Sequence, residues 1–197
     1  MDTTFSPEDA RALAGSASDH SLVRHKLVVF TVALAIGAIA FVSYSKAADR
    51  LIAAFIAIVL VVVAATDLER RIIPNRVIVP ALAVVLVARI ATSPGETAKW
   101  TLAALGAGLL FLLPNLINSS AMGMGDVKLA AFLGAGLGTA VIGALLVASL
   151  STLPLVAAKL MRGGLAARKS TLPFGPFLAF GGLVILIVPR LIGVGGS

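Results

Sequence analysis

Residues 51–67 read LIAAFIAIVLVVVAATD, sixteen uncharged and largely apolar positions closed by one aspartate, Asp67. Sixteen residues of α-helix rise about 24 Å, most of the way across a hydrocarbon core roughly 30 Å thick. Comparable runs recur at about 27–44, 77–92, 100–117, 127–158 and 172–192. None shows the alternation of a barrel strand, so the spans read as helices, whose backbone hydrogen bonds close within each segment. Composition points the same way. Hydrophobic residues make up 59% of the 197 and charged residues 13%, with a mean hydropathy of +1.05. A soluble domain of this size has too little interior to hide so much apolar surface.

The breaks between spans are short: Lys46–Arg50, Asp67–Arg76, Ser93–Lys99, Asn118–Asp126 and the basic loop Lys159–Thr171. They predict an all-α polytopic membrane helix bundle of six or seven transmembrane helices. The polar residues 1–26 read as a cytoplasmic tail, and residues 27–197 as a single membrane-embedded domain. The run from 127 to 158 decides the count. It is either one long helix or two, broken around Gly134, Gly136 and Gly138. Lysine and arginine favour the cytoplasmic side. Two helices place 11 of the 16 basic residues on the side of the N-terminus, whereas one helix divides them evenly. Seven spans with a cytoplasmic N-terminus are therefore favoured, the first helix of the pair being short and sheltered by protein. The formal charge of +7 is explained by the same asymmetry, so no nucleic-acid partner is expected.

Several chemistries are excluded at once. The chain has no cysteine, hence no thiol nucleophile and no cysteine metal site, and its two histidines, His20 and His25, lie in the tail. A zinc protease lacks its paired histidines and a serine protease its base. No metal and no cofactor are expected. Of the nine acidic residues, Asp2, Glu8, Asp9 and Asp19 belong to the tail, and Asp49 and Glu96 read as solvated loop charges. Glu69 reads as a loop charge beside arginines. Asp67 and Asp126 remain, each set against an apolar run, where a carboxylate is costly and a candidate for function. They could instead be ordinary interface charges, or line the pathway of a small transporter or channel. With seven spans both fall on the cytoplasmic face at one depth. Two carboxylates in a partly dry site share a proton, supplying an acid and a base able to activate water against a peptide carbonyl. Gly123 and Gly125 would let an extended substrate backbone approach Asp126.

Three segments in order resemble the type IV prepilin peptidases, members of the GxGD membrane aspartic proteases. They are Asp67 through Asn75 with its Ile-Pro-Asn ending, Gly123-Met124-Gly125-Asp126-Val127-Lys128-Leu129, and Leu172-Pro173-Phe174-Gly175-Pro176-Phe177. The resemblance covers about residues 27–192. It implies a bacterial inner-membrane endopeptidase that removes the short basic leader of prepilin or pseudopilin precursors at the cytoplasmic face, just after a glycine, with Asp67 and Asp126 as the catalytic pair. Gly123, Gly125, Lys128, Pro173, Phe174, Gly175 and Pro176 are the candidate substrate-binding residues. The charges of Arg70, Arg71 and Lys128 fit positive-inside anchoring better than attraction of a basic leader. Larger members carry a four-cysteine region and methylate the new N-terminus; lacking cysteine, this chain resembles the short, tight-adherence (Flp-type) peptidases without that activity. Pro80-Ala81-Leu82 matches a presenilin tripeptide but precedes the GxGD aspartate instead of following it, and is a chance match.

Overall fold

The computed structural model describes residues 27–117, 123–163 and 174–191. These form seven α-helices and no strand: α1 (Leu27–Val42), α2 (Ala47–Arg70), α3 (Asn75–Thr92), α4 (Thr97–Ile117), α5 (Met124–Leu137), α6 (Val141–Gly163) and α7 (Gly175–Leu191). The chain is thus an all-α polytopic helical bundle. Among the described residues, four stretches are long and apolar enough to cross a membrane: Ala47–Arg70, Asn75–Thr92, Pro94–Ile117 and Met124–Ala158.

The last of these contains the predicted break. Gly138 takes φ 59, a left-handed conformation that favours glycine, and a 3-10 turn over Gly138–Ala140 separates α5 from α6. A side chain there would also strike the Trp100 ring, 2.8 Å from the position of its Cβ. Other ends follow ordinary rules. Arg71 closes α2 in the left-handed region at φ 53, its N–H donating to the Asp67 carbonyl over 2.8 Å. Pro74 immediately precedes α3, and Pro94 opens the 3-10 turn leading into α4.

Contacts between helix ends show that the chain runs up and down. The start of α2 meets the end of α3, where Arg89 binds Asp49, and the end of α5, where Arg89 also binds Gly136. Trp100, near the start of α4, packs on Gly138 at that same end. Tyr44, just past α1, donates to the Leu186 carbonyl of α7 over 3.2 Å. The opposite end gathers the last turn of α2 and the first turns of α3, α5 and α7.

α5 is the centre of the bundle. At 14 residues it rises only about 21 Å, too little to cross a bilayer alone. Eight of those residues, from Val127 to Gly136, are buried around its whole circumference, packed by α3, α4 and α7. A helix apolar on all sides belongs in an interior. The outer helices present the reverse: on α4, Leu102, Leu105, Leu109, Leu113 and Leu116 form an exposed stripe at three- and four-residue spacing, as lipid contact requires. With no water to drive apolar surfaces together, membrane helices gain by close backbone approach at small residues. Gly134 of α5 is such a place, lying against the Ala103 carbonyl of α4.

Gly134→Val should therefore force α4 and α5 apart and cost about 1–3 kcal/mol or more. This is read as a lower thermal midpoint of the detergent-solubilised protein. Gly106→Ala, whose added Cβ meets nothing within 4 Å, should leave the midpoint unchanged.

Candidate active site

Asp67 faces inward because it continues a helical stripe. Ile56, Leu60, Val63 and Asp67 recur at spacings of four, three and four residues, and all are buried, Asp67 being 6% exposed. Leu68, Glu69 and Arg70 turn outward. Asp126 sits in the first turn of α5, one turn before Leu129 and Ala130, and is half-buried. Its N–H donates to the Gly123 carbonyl over 3.0 Å, which starts the helix. The two carboxylates lie within electrostatic reach of each other at the same end of the bundle.

The third segment reaches the same place. The N–H of Gly175, first residue of α7, donates to the Asp67 carboxylate. A Cβ on Gly175 would sit 2.6 Å from Asp67 Oδ2, so only glycine permits this approach. Phe174 packs its ring on Phe111 of α4, centroids 5.9 Å apart, and Pro176 is half-buried in the first turn. Pro173 lies outside the described residues.

Ile73, in the turn between α2 and α3, ties these pieces together. It is 7% exposed and touches the places where both Gly125 and Gly175 lack side chains; a Cβ on Gly125 would be 2.8 Å from its own. The glycine at 125 thus makes room for Ile73 rather than leaving an open approach. A Cβ on Gly123, in contrast, would lie 3.4 Å from Asp126 Oδ2, an ordinary contact. Lys128 donates to Asn75 Oδ1 over 2.7 Å, joining α5 to α3 beside the carboxylates. Asn115, near the end of α4, donates to Met124 Sδ over 2.9 Å.

Asp67, Asp126, Gly123, Gly125, Lys128, Phe174, Gly175 and Pro176 therefore converge. Ile73 and Asn75 fall within the first quoted segment, but nothing in their residue types announced a wedge or a lysine partner. Phe111 was not among the candidates: one phenylalanine in an apolar helix carries no signal. A groove of about 460 Å³ along the outer face of the last turns of α2, between Val29, Phe30, Thr66 and Glu69, is lined by neither aspartate. Among the described residues, no three His, Cys, Asp or Glu side chains gather as a metal site would need.

Two expectations fail elsewhere. Glu69 is not a loop charge, because α2 continues through it to Arg70. Asp49 is not a solvated loop charge: it lies in the first turn of α2 and pairs with Arg89 at 2.6 Å, its side chain 32% exposed. Helix α2 begins at Ala47, several residues before the apolar run, which carries Asp49 into the bundle. Glu96, in contrast, is exposed and pairs with Lys99 at 3.0 Å.

The sequence model of the type IV leader peptidase family matches residues 54–157, from the middle of α2 into α6, and so includes both aspartates. The chain is 33% identical over 126 residues to the prepilin leader peptidase/N-methyltransferase of Bacillus subtilis (strain 168), a stretch that is 64% of this chain and 50% of that protein. The chain thus spans about half the length of the curated relative it matches. No solved structure matches it. With more than half of its residues inside the family match, the chain belongs to the type IV leader peptidase family.

Proposed function

We propose that the chain is a membrane aspartic endopeptidase that removes the short basic leader from type IV prepilin-like precursors, small Flp-type prepilins and pseudopilins, at the cytoplasmic membrane face. The observation that carries this reading is the convergence of Asp67 and Asp126, from two family-matched helices, within electrostatic reach of each other. N-methyl transfer, the other activity in the relative's name, is not part of the proposal, because these residues include no cysteine.

The chemistry follows from two carboxyl groups sharing one proton. The ionised partner takes a proton from water as its oxygen attacks the carbonyl carbon of the scissile peptide. The protonated partner donates to the carbonyl oxygen and stabilises the tetrahedral adduct. A proton then passes to the departing nitrogen, the C–N bond breaks, and the pair returns to its starting state. The Gly175 N–H occupies part of the acceptor capacity of Asp67 and fixes the carboxylate in place. The precursor's apolar segment remains in the bilayer while its leader faces the cytoplasm, so the scissile bond meets the aspartate end at the membrane surface.

In cells co-expressing a leader-bearing prepilin, Asp67→Asn and Asp126→Asn should each slow cleavage about 100-fold or more and leave full-length precursor on an immunoblot. Normal processing by either variant would sink the paired mechanism. Gly175→Ala should slow cleavage on the order of tenfold to a hundredfold, because its methyl must displace the carboxylate by a substantial fraction of an ångström. The expected orientation is tested by labelling, since any single cysteine is a clean reporter in a cysteine-free chain. Gly95→Cys, where an added Cβ meets nothing within 4 Å, should react with an impermeant maleimide in intact cells; Ile72→Cys, exposed at the aspartate end, should react only after permeabilisation. The reverse pattern would invert the orientation.

A further inference from the structure

At the end of the bundle away from the aspartates, a single arginine joins four helices. Arg89 is 6% exposed and continues the buried stripe of α3, after Ile78, Ala81 and Val85. Its Nη1 donates to Asp49 of α2 over 2.6 Å and its Nη2 to the Gly136 carbonyl of α5 over 2.9 Å. Its guanidinium carbon lies 4.5 Å from the centroid of the Trp100 ring on α4. Each contact suits its helix. Asp49 is in the first turn of α2, the Gly136 carbonyl is one of those that the end of α5 leaves without an intrahelical partner, and a cation there complements the helix dipole. Arg89 Nε is buried without a partner among the described residues, so the group is held by its two terminal nitrogens.

Two of the helices it joins, α2 and α5, carry the aspartates. α2 packs on α7 and α3, and on α1 where Gly37 lies against Ile58; α5 packs on α4, α3 and α7, while α2 and α5 meet over a small area, with Ile56 against Gly136. Their relative depth therefore rests on the helices between them. α3 is bonded to α5 at both ends, through Arg89 to Gly136 and through Asn75 to Lys128, but its polar bond to α2 is Arg89 to Asp49. From Asp49 to Asp67 the helix rises about 27 Å, and from Gly136 back to Asp126 about 15 Å. A slip of one residue moves a carboxylate about 1.5 Å along the axis and turns it about 100°. Such a shift is enough to part the two groups.

We propose that Arg89 is a positioning residue of the peptidase, the clamp that fixes the depth of α2 against α5 and so holds Asp67 and Asp126 facing each other. This rests on the peptidase reading, but its geometric half can be tested without it. An ion pair replaced whole by apolar side chains commonly leaves stability unchanged, whereas removing one partner strands the other. The decisive variant is thus the pair Asp49→Leu with Arg89→Met. Spin labels on Leu68→Cys and Met124→Cys, exposed neighbours of the two aspartates, report the distance between the helix ends.

In the double variant the distance distribution should broaden. Turnover of a leader-bearing prepilin should fall tenfold or more with KM within twofold of the parent, at an unchanged thermal midpoint. Arg89→Lys keeps the charge but loses the two-armed fork, and should broaden the same distribution. Parent-like distances and turnover in Arg89→Lys would overturn the proposal even where the double variant does not fold; in a folded double variant the same result would reduce the pair to a structural ion pair. If the parent itself fails to cleave prepilin while the distances still respond to Arg89, the clamp stands and the peptidase reading falls.

Discussion

Lipid offers neither hydrogen bonds nor counter-ions, so a polar group at hydrocarbon depth must find its partner inside the bundle or go without. Much of this structure can be understood from that constraint. Arg89 is met by Asp49, a backbone carbonyl and an indole face, and Asp67 by the N–H of Gly175. In both cases a helix terminus supplies a partner. The ends of helices are where backbone groups remain unsatisfied, so placing charged side chains against them settles two needs together.

The same constraint explains the short central helix. α5, at 14 residues, is too short to span a bilayer alone. Enclosure by α3, α4 and α7 shelters it, and the glycines at 134 and 136 let its neighbours approach its backbone. Enclosure also brings the Asp126 end of α5 to the level of the last turn of α2. A full-length helix in its place would carry its first turn further out, away from Asp67.

The two ends of the bundle divide the labour. At one, an ion pair, an indole ring and a left-handed glycine lock four helices together. At the other, three chain segments distant in sequence meet around two carboxylates, wedged by Ile73. The family match stops at residue 157, yet α7, beyond it, donates to Asp67. The site is therefore a property of the whole bundle and not of the matched region alone.

Membrane residence, helical class and the approximate spans were legible from composition and run length, because the thickness of a bilayer translates directly into a number of apolar residues. The two aspartates were legible because acidic residues are scarce here and each stands at the edge of an apolar run. The break at Gly138 was legible only through the balance of basic residues, since a glycine in a membrane helix is no signal by itself. The tertiary structure decided what remained. In a helix apolar all round, periodicity does not mark the inward face, so nothing in the sequence showed that Arg89 would continue the buried stripe of Ile78, Ala81 and Val85. Nor could it assign Asp49 to Arg89, Asn75 to Lys128 or Gly175 to Asp67. Those pairs lie 40, 53 and 108 residues apart, and only the packing of the helices brings them together.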